Sequence, residues 1–327
     1  MKKGLSFIAA VLILGTSVFT SCSTTIHTTI ERPAELDLNG AETIAVLPFQ
    51  ITEKGNLAQN VTIIGDVITF FNELEYKSNG AYDIADYLTH QLEQGIADSD
   101  YLSLVYSDAV KSALNNAKKA PCDVYLTGII SSYNTEIVKT MHTVKENGES
   151  LKIPYYYREV GFTLTYQIVD SATNRIITSK TEDVYKNSDE IEDPEELPDA
   201  YQTIKPTLNE IVYNIMKKIQ PYTETKSISL LKDKTKDPDM KAADKYVKNG
   251  LLDYARKLYL DIYETRGYFE AGYNAAVILE AQGNFKEAYE EMNDLVQKYH
   301  DSRAISALKD IQYEIDSKNT LQKQLDR

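Results

Sequence analysis

The 327-residue chain has no tryptophan, two cysteines, four histidines and fewer basic than acidic residues. Each shortage excludes something. Two cysteines, Cys22 and Cys122, cannot make a disulfide framework. His27, His90, His142 and His300 are scattered, without the spacing of metal ligands. Thirty-five Lys and Arg against 49 Asp and Glu give a formal charge of −14. Such a chain repels phosphate backbones, and no basic stripe interleaved with aromatics relieves this, so nucleic acid is excluded as an expected partner. No phosphate-cradling glycine loop, nucleophile elbow or zinc-binding HExxH is present, so no catalytic residue is assigned and the expectation is a non-enzyme without cofactor or metal. What the chain has in quantity is tyrosine, 24 residues, whose apolar ring and hydroxyl suit half-buried surfaces.

The one long apolar run is at the start. Lys2 and Lys3 precede a mostly apolar stretch over residues 5–19, and Thr20 and Ser21 stand before Cys22. A basic start, a short apolar core and a small-residue cleavage site describe a secretory signal peptide. The run falls short of the ~20 residues that span a bilayer. With cysteine after the expected cut, residues 1–21 resemble a bacterial lipoprotein signal, although Phe19 stands where leucine is usual. The resemblance implies a covalent lipid on Cys22, no other cofactor, and loss of Lys2 and Lys3, which takes the mature charge to −16. It places the protein in the bacterial cell envelope. The expected membrane is the outer one, and the absence of an acidic run after Cys22 favours its periplasmic face over the cell surface.

Residues 22–40 are polar, threonine-rich and broken by Pro33, and read as a tether; about eighteen extended residues would reach roughly 60 Å. Residues 44–49 (IAVLPF) read as a buried strand ending at Pro48. Within the segment 50–80, VTIIGDVITFF fits a strand or a short helix equally. Residues 82–97 carry Ile84, Ala85, Leu88, Leu92 and Ile96 on one helical face. A strand at 101–106, a helix at 107–118 capped at Ser107-Asp108, and a strand at 124–130 follow. Residues 134–144 extend toward a turn at Asn147-Gly148. The clearest strand is 157–169, where Val160, Phe162, Leu164, Tyr166 and Ile168 alternate with polar residues and glycine. A turn at 170–174 returns it as 175–184. Residues 187–198 form an acidic loop, read as solvated, and 200–220 a long helix stopped by Pro221.

Residues 223–239 read as a linker. Beyond it Gly250, Tyr254-Ala255 and Tyr259 are echoed by Gly283, Glu287-Ala288 and Met292, 33 residues later. A period of about 34 with glycine between paired helices resembles tetratricopeptide repeats over 240–316, followed by a polar tail at 317–327. Tyr246 and Leu279 are expected between the helices. By carry-over from that family, Asp244, Lys248, Tyr273, Val277 and Glu280 would face a peptide groove; the alternative is that this region packs on the α/β domain.

The order of elements over 41–222 is similar to the amino-terminal domain of the Tol-system β-propeller protein TolB, to the curli-secretion lipoprotein CsgG and to lipoprotein activators of penicillin-binding proteins. Residues 44–49, Gly128 and Val169-Asp170 before Asn174 carry the likeness. The expected fold is therefore an α/β domain, a mixed sheet sandwiched with helices, followed by an all-α helical-repeat domain. With signal and repeats, the chain resembles an uncharacterised bacterial lipoprotein family. The expected role is a membrane-anchored scaffold that binds envelope proteins or peptides in assembly or secretion. The alternatives are a subunit of an oligomeric secretion pore, which leaves homo-oligomerisation open, and an envelope enzyme without a recognised motif.

Overall fold

The computed structural model describes residues 24–52, 61–64, 67–70, 80–116, 118–146 and 149–326. The signal 1–21, the lipidation position Cys22, the turn at Asn147-Gly148 and most of 53–79 lie outside the described residues. In chain order the strands are β1 (Thr25–Arg32), β2 (Thr43–Val46), β3 (Gln50–Thr52), β4 (Val61–Ile64), β5 (Val67–Phe70), β6 (Ser103–Leu104), β7 (Val124–Glu146), β8 (Glu149–Asp170), β9 (Arg175–Asn187) and β10 (Tyr222–Ser229). The helices are α1 (Ala81–Ala97), α2 (Ser107–Asn115), α3 (Ala200–Ile219), α4 (Pro238–Lys248), α5 (Leu252–Arg266), α6 (Phe269–Ala281), α7 (Phe285–Tyr299) and α8 (Ser302–Leu325). The chain is a mixed α/β region followed by a run of packed helices, as the residue pattern implies. It divides into an α/β unit, Glu31–Thr223 with Ser317–Arg327, and a helical unit, Glu224–Asp316 with the described residues before Glu31.

In the α/β unit the strand order is β6-β2-β7-β8-β9, and β3 pairs with β7 beyond the end of β2. β2 runs parallel to β6 and β7, whereas β7, β8 and β9 are antiparallel. β2 is apolar on both faces because both are covered. Ile44 and Val46 join a core with α1 and α3, while Ala45 and Leu47 pack with Val110 of α2, Tyr125 and Val169. The alternating residues of β8, from Val160 to Ile168, face α1 and α3. Phe49 lies flat against Gly128, where a Cβ would overlap its ring. Asp123 ties β7 to β2: its carboxylate accepts from Thr43 N–H at 2.9 Å, Thr43 Oγ1 at 2.7 Å and Glu42 N–H at 3.1 Å. Those bonds, the hydroxyl first, hold its pKa below the ordinary value.

Four expectations change. Residues 22–40 are not a free tether, because β1 lies inside them with Ile26, Ile30 and Arg32 buried. Residues 223–239 are not simply a linker: β10 pairs with β1, and α4 begins at Pro238. His27 Nδ1 meets Ser227 Oγ at 2.9 Å and Thr25 Oγ1 meets Ser229 Oγ at 3.5 Å, a descending register that makes this ribbon antiparallel. The residues 317–327 continue α8 as far as Leu325, with Leu321 buried. The two strand segments read at 124–130 and 134–144 are one strand, β7, interrupted by a bulge at 131–134 where Ser132 has φ 54°. VTIIGDVITFF resolves into the antiparallel pair β4–β5.

The helical unit follows the sequence pattern closely. Gly250 and Gly283 end α4 and α6 with φ of 73° and 77°, a left-handed conformation that suits glycine. Ala255 and Ala288 are fully buried where helices approach. Leu279 is buried as expected, but Tyr246 is 38% exposed and stacks on Tyr254 instead of filling between helices.

Candidate functional site

Two surfaces qualify, one in each unit. The first is the helical face predicted as a groove. Of its five residues, Val277 and Glu280 are buried, Tyr273 is half-buried beside Phe269, Asp244 accepts a hydrogen bond from Tyr259 Oη, and Lys248 is exposed. They lie on α4 and α6 as expected, but they do not line an open groove. The chain's own ribbon covers the α6 part of that face. Ile26 of β1 and Ile228 of β10, with Leu230 beyond, join the apolar core of the helices. Thr28 Oγ1 donates to the carbonyl of Ala281 at 3.0 Å. Asn274, fully buried, grips the backbone of Leu231 in both directions: its Oδ1 accepts from Leu231 N–H at 2.7 Å and its Nδ2 donates to Leu231 C=O at 3.0 Å.

Lys226 of β10 completes the attachment, donating to Glu280 of α6 at 2.7 Å and to Glu314 of α8 at 2.5 Å. Both carboxylates are almost wholly buried, at 4% and 1% exposure. Burial alone would lower the Lys226 ammonium, yet the two hydrogen bonds outweigh it and hold its pKa above the ordinary value. Burial pushes the Glu280 carboxyl up against the pull of Lys226. One cation between two carboxylates therefore stays charged, while Glu280 holds a proton more readily than a free glutamate. Glu280, assigned to a partner peptide by family carry-over, is engaged by the chain itself.

The second surface is the β7–β8 ribbon, with strands of 23 and 22 residues. Beyond the last β8–β9 pair, Glu159 with Asn187, the register sorts its side chains. Val138, Thr140, His142 and Val144 share one face with Tyr157, Tyr155, Ile153 and Leu151. Ile137, Lys139, Met141, Thr143 and Lys145 share the other with Arg158, Tyr156, Pro154, Lys152 and Ser150. Ile137, Met141, Val144 and Leu151 are 39–52% exposed. The acidic loop at 187–198 is not merely solvated: Glu190 pairs with His142 at 2.6 Å and accepts from Thr140, while Glu192 accepts from Tyr155 Oη at 2.8 Å. Ile191 pairs backbone to backbone with Tyr156, so this loop runs along the β8 edge and sends Glu190 and Glu192 onto the first face.

The sheet edges offer less. β6 has only two residues. β9 is bulged between the pairs of Ile168 and Val169, and carries Lys180 and Glu182 on the face that packs the core, paired at 2.6 Å. Short, bulged and inwardly charged edges resist strand addition. Burial, then the charge of Asp123, lifts the Cys122 thiol to about 11, so it is protonated at neutral pH and unreactive. A concavity of about 330 Å³ in the α/β unit, lined by Leu36, Leu102, Ile219 and Pro221, has acidic residues at Asp37, Glu42 and Asp100. Beside it Tyr101 donates to Glu31 at 2.6 Å, and that bond, with burial second, raises the phenol to about 12. Among the described residues no cluster of His, Cys, Asp and Glu fits a metal ion, and no helix is long and apolar enough to cross a membrane.

No protein-family model matches the chain, and no curated protein matches it. Its structure is distantly similar to those of several bacterial proteins, lipoprotein-like folds among them. A neuraminyllactose-binding hemagglutinin homolog of Helicobacter pylori is 17% identical with a TM-score of 0.33, over 57% of this chain and 87% of that one. The PelC dodecamer of Paraburkholderia phytofirmans is 11% identical with a TM-score of 0.29, over 60% and 99%. Lipoprotein GNA1162 of Neisseria meningitidis is 10% identical with a TM-score of 0.26, over 54% and 97%. Likeness at this level carries no argument about activity or partners.

Proposed function

We propose that this protein is a lipid-anchored scaffold of the bacterial envelope that binds other proteins and performs no chemistry itself. The N-terminal 22 residues support the anchor. The observation that carries the binding role is the β7–β8 ribbon. A two-stranded ribbon gains little stability alone in water, and this one exposes Ile137, Met141, Val144 and Leu151 well beyond the sheet. The partner surface is therefore assigned to this ribbon and not to the helical face, whose α6 part the chain itself covers.

The second reading, a subunit of a secretion pore, is favoured by one observation. From Ile137 onward the ribbon has one face rich in Val, Ile, Leu and Tyr and another carrying Lys139, Lys145, Lys152 and Arg158. Outer-membrane strands need about 9–11 such residues each. One experiment separates the readings: photocrosslinker at Leu151 or Met141 in native envelopes, with Lys248 as the helical comparison. Crosslinks from the ribbon to a different protein are expected. Crosslinks only between copies of this chain would favour the pore. Partner crosslinks from Lys248 and none from the ribbon would overturn the assignment.

A further inference from the structure

The fold takes hold of the chain almost at Cys22. The Thr24 carbonyl accepts a hydrogen bond from Leu230 N–H at 2.9 Å, and Ile26 is already buried. Only Ser23 separates Thr24 from Cys22. An extended residue spans at most about 3.6 Å, so Cys22 lies within about 7 Å of Thr24 whatever course the chain takes. A lipid on Cys22 would not hold this protein on a leash.

The chain emerging beside Thr24 has an uneven distribution of charge. After Leu231, pinned by Asn274, come Lys232, Lys234 and Lys236, all exposed. The acids between and after them are engaged by neighbours within the unit. Asp233 accepts from Thr235 N–H at 2.7 Å and from Asp237 N–H at 2.6 Å. Asp237 and Asp239 both hold Arg266, Asp301 holds Arg303, and Glu270 lies between Arg303 at 3.5 Å and Lys234 at 3.9 Å, whose side chain is still 75% exposed. In a chain of formal charge −14, the outward charges of this loop are lysines.

We propose that this corner of the helical unit, the start of β1 with Lys232, Lys234 and Lys236, rests on anionic phospholipid headgroups. The inference rests on lipidation of Cys22, from the function proposed above. The lipid supplies most of the attachment, and the short connection brings the corner to the surface. The lysines add the second, electrostatic signal that orients a singly anchored protein. The acidic remainder of the chain is repelled by the same surface, which favours this orientation over others.

The test uses the full, lipidated chain in vesicles of phosphatidylethanolamine and phosphatidylglycerol. A fluorophore on Ser229→Cys, at an exposed position beside Thr25, is quenched by lipids carrying a headgroup nitroxide. Strong quenching is expected. A spacer of about twenty Gly and Ser residues inserted after Ser23 should relieve it severalfold. Changing Lys232, Lys234 and Lys236 together to glutamate should weaken it in these vesicles and leave it unchanged in neutral phosphatidylcholine. An unquenched probe on protein whose mass includes the lipid overturns the proposal, as does a spacer without effect. Quenching indifferent to the glutamate changes overturns the role of the lysines. A mass showing unmodified Cys22 removes the anchor itself, and the inference falls with it by a separate readout.

Discussion

The two units bury different chemistry. Among the described residues, the α/β unit buries one charged side chain, Arg32, in an interior whose other polar side chains are hydroxyls and the amide of Gln167. The helical unit buries Asp237, Glu280 and Glu314, each held by a cation. The contrast follows from what each must fix. In a six-stranded sheet the strands satisfy one another's backbone groups, and the register of β7, β8 and β9 is set by their own ladders. Helices can then cover the sheet with side chains such as Leu88 and Ile204 alone. The β1–β10 ribbon has one ladder only, and it lies on helices that offer no strand to pair with. Apolar contact from Ile26 and Ile228 draws it in but does little to stop it sliding. The bonds of Lys226, Thr28 and Asn274 set its position.

That contrast breaks most directly at Lys226. Lys226→Met removes the cation and leaves Glu280 and Glu314 buried beside each other. Losing one partner of a buried ionic group costs about 3–5 kcal/mol. The expected outcome is loss of hydrogen-exchange protection in β1 and β10, with protection in β8 unchanged. Equal loss in β8 would mean that the ribbon is not a separately attached element. The corresponding test on the sheet side is steric. Gly128→Val drives a side chain into the space of the Phe49 ring, and overpacking of this kind costs about 1–3 kcal/mol. Denaturation followed by exchange should show weakened β2 and β7 with an intact ribbon. A Gly128→Val protein as stable as the parent would show that Phe49 can leave without consequence.

The elements legible from residue order are those whose pattern is complete within one window. β8 alternates over its core half, α3 has Asp199 accepting from Gln202 N–H at its start and Pro221 after its end, and Gly250 and Gly283 mark the helix pairs. The ribbon was hidden because its halves stand about 200 residues apart and each is rich in Thr or Ser with few apolar residues, a composition that also suits a linker. The outer half of β7 was obscured for another reason. Both its faces are exposed, so Glu136, Lys139 and Lys145 interrupt the alternation that burial would impose. For the candidate groove, residue types and spacing placed Asp244, Tyr273, Val277 and Glu280 on the right helices. They could not reveal that β10 covers part of that face, because the signal for it, Lys226-x-Ile228-x-Leu230, sits in the segment read as a linker.

The smallest effect expected is at Glu280, whose response to pH is opposite in sign to that of Asp123. Asp123 in the α/β unit has a lowered pKa, so its contribution is present above the ordinary carboxylate range and is lost as pH falls through its folded value. Glu280 has a raised pKa, chiefly from burial. Its folded form binds a proton more tightly than the unfolded chain does, so its contribution is full below the unfolded pKa and is lost as pH rises through the raised one. Lys226, also raised, loses its contribution only in strong alkali, above its own folded value. Protection of the ribbon should therefore decline as mildly acidic solution is brought toward neutrality, while the Asp123 contribution to the sheet grows over the acid side of that range. Glu280→Gln keeps an acceptor for Lys226 and removes the titration. It should flatten the ribbon's pH response while changing its stability by about 1 kcal/mol or less. A ribbon whose exchange remains equally pH-dependent in Glu280→Gln would assign the titration to another group.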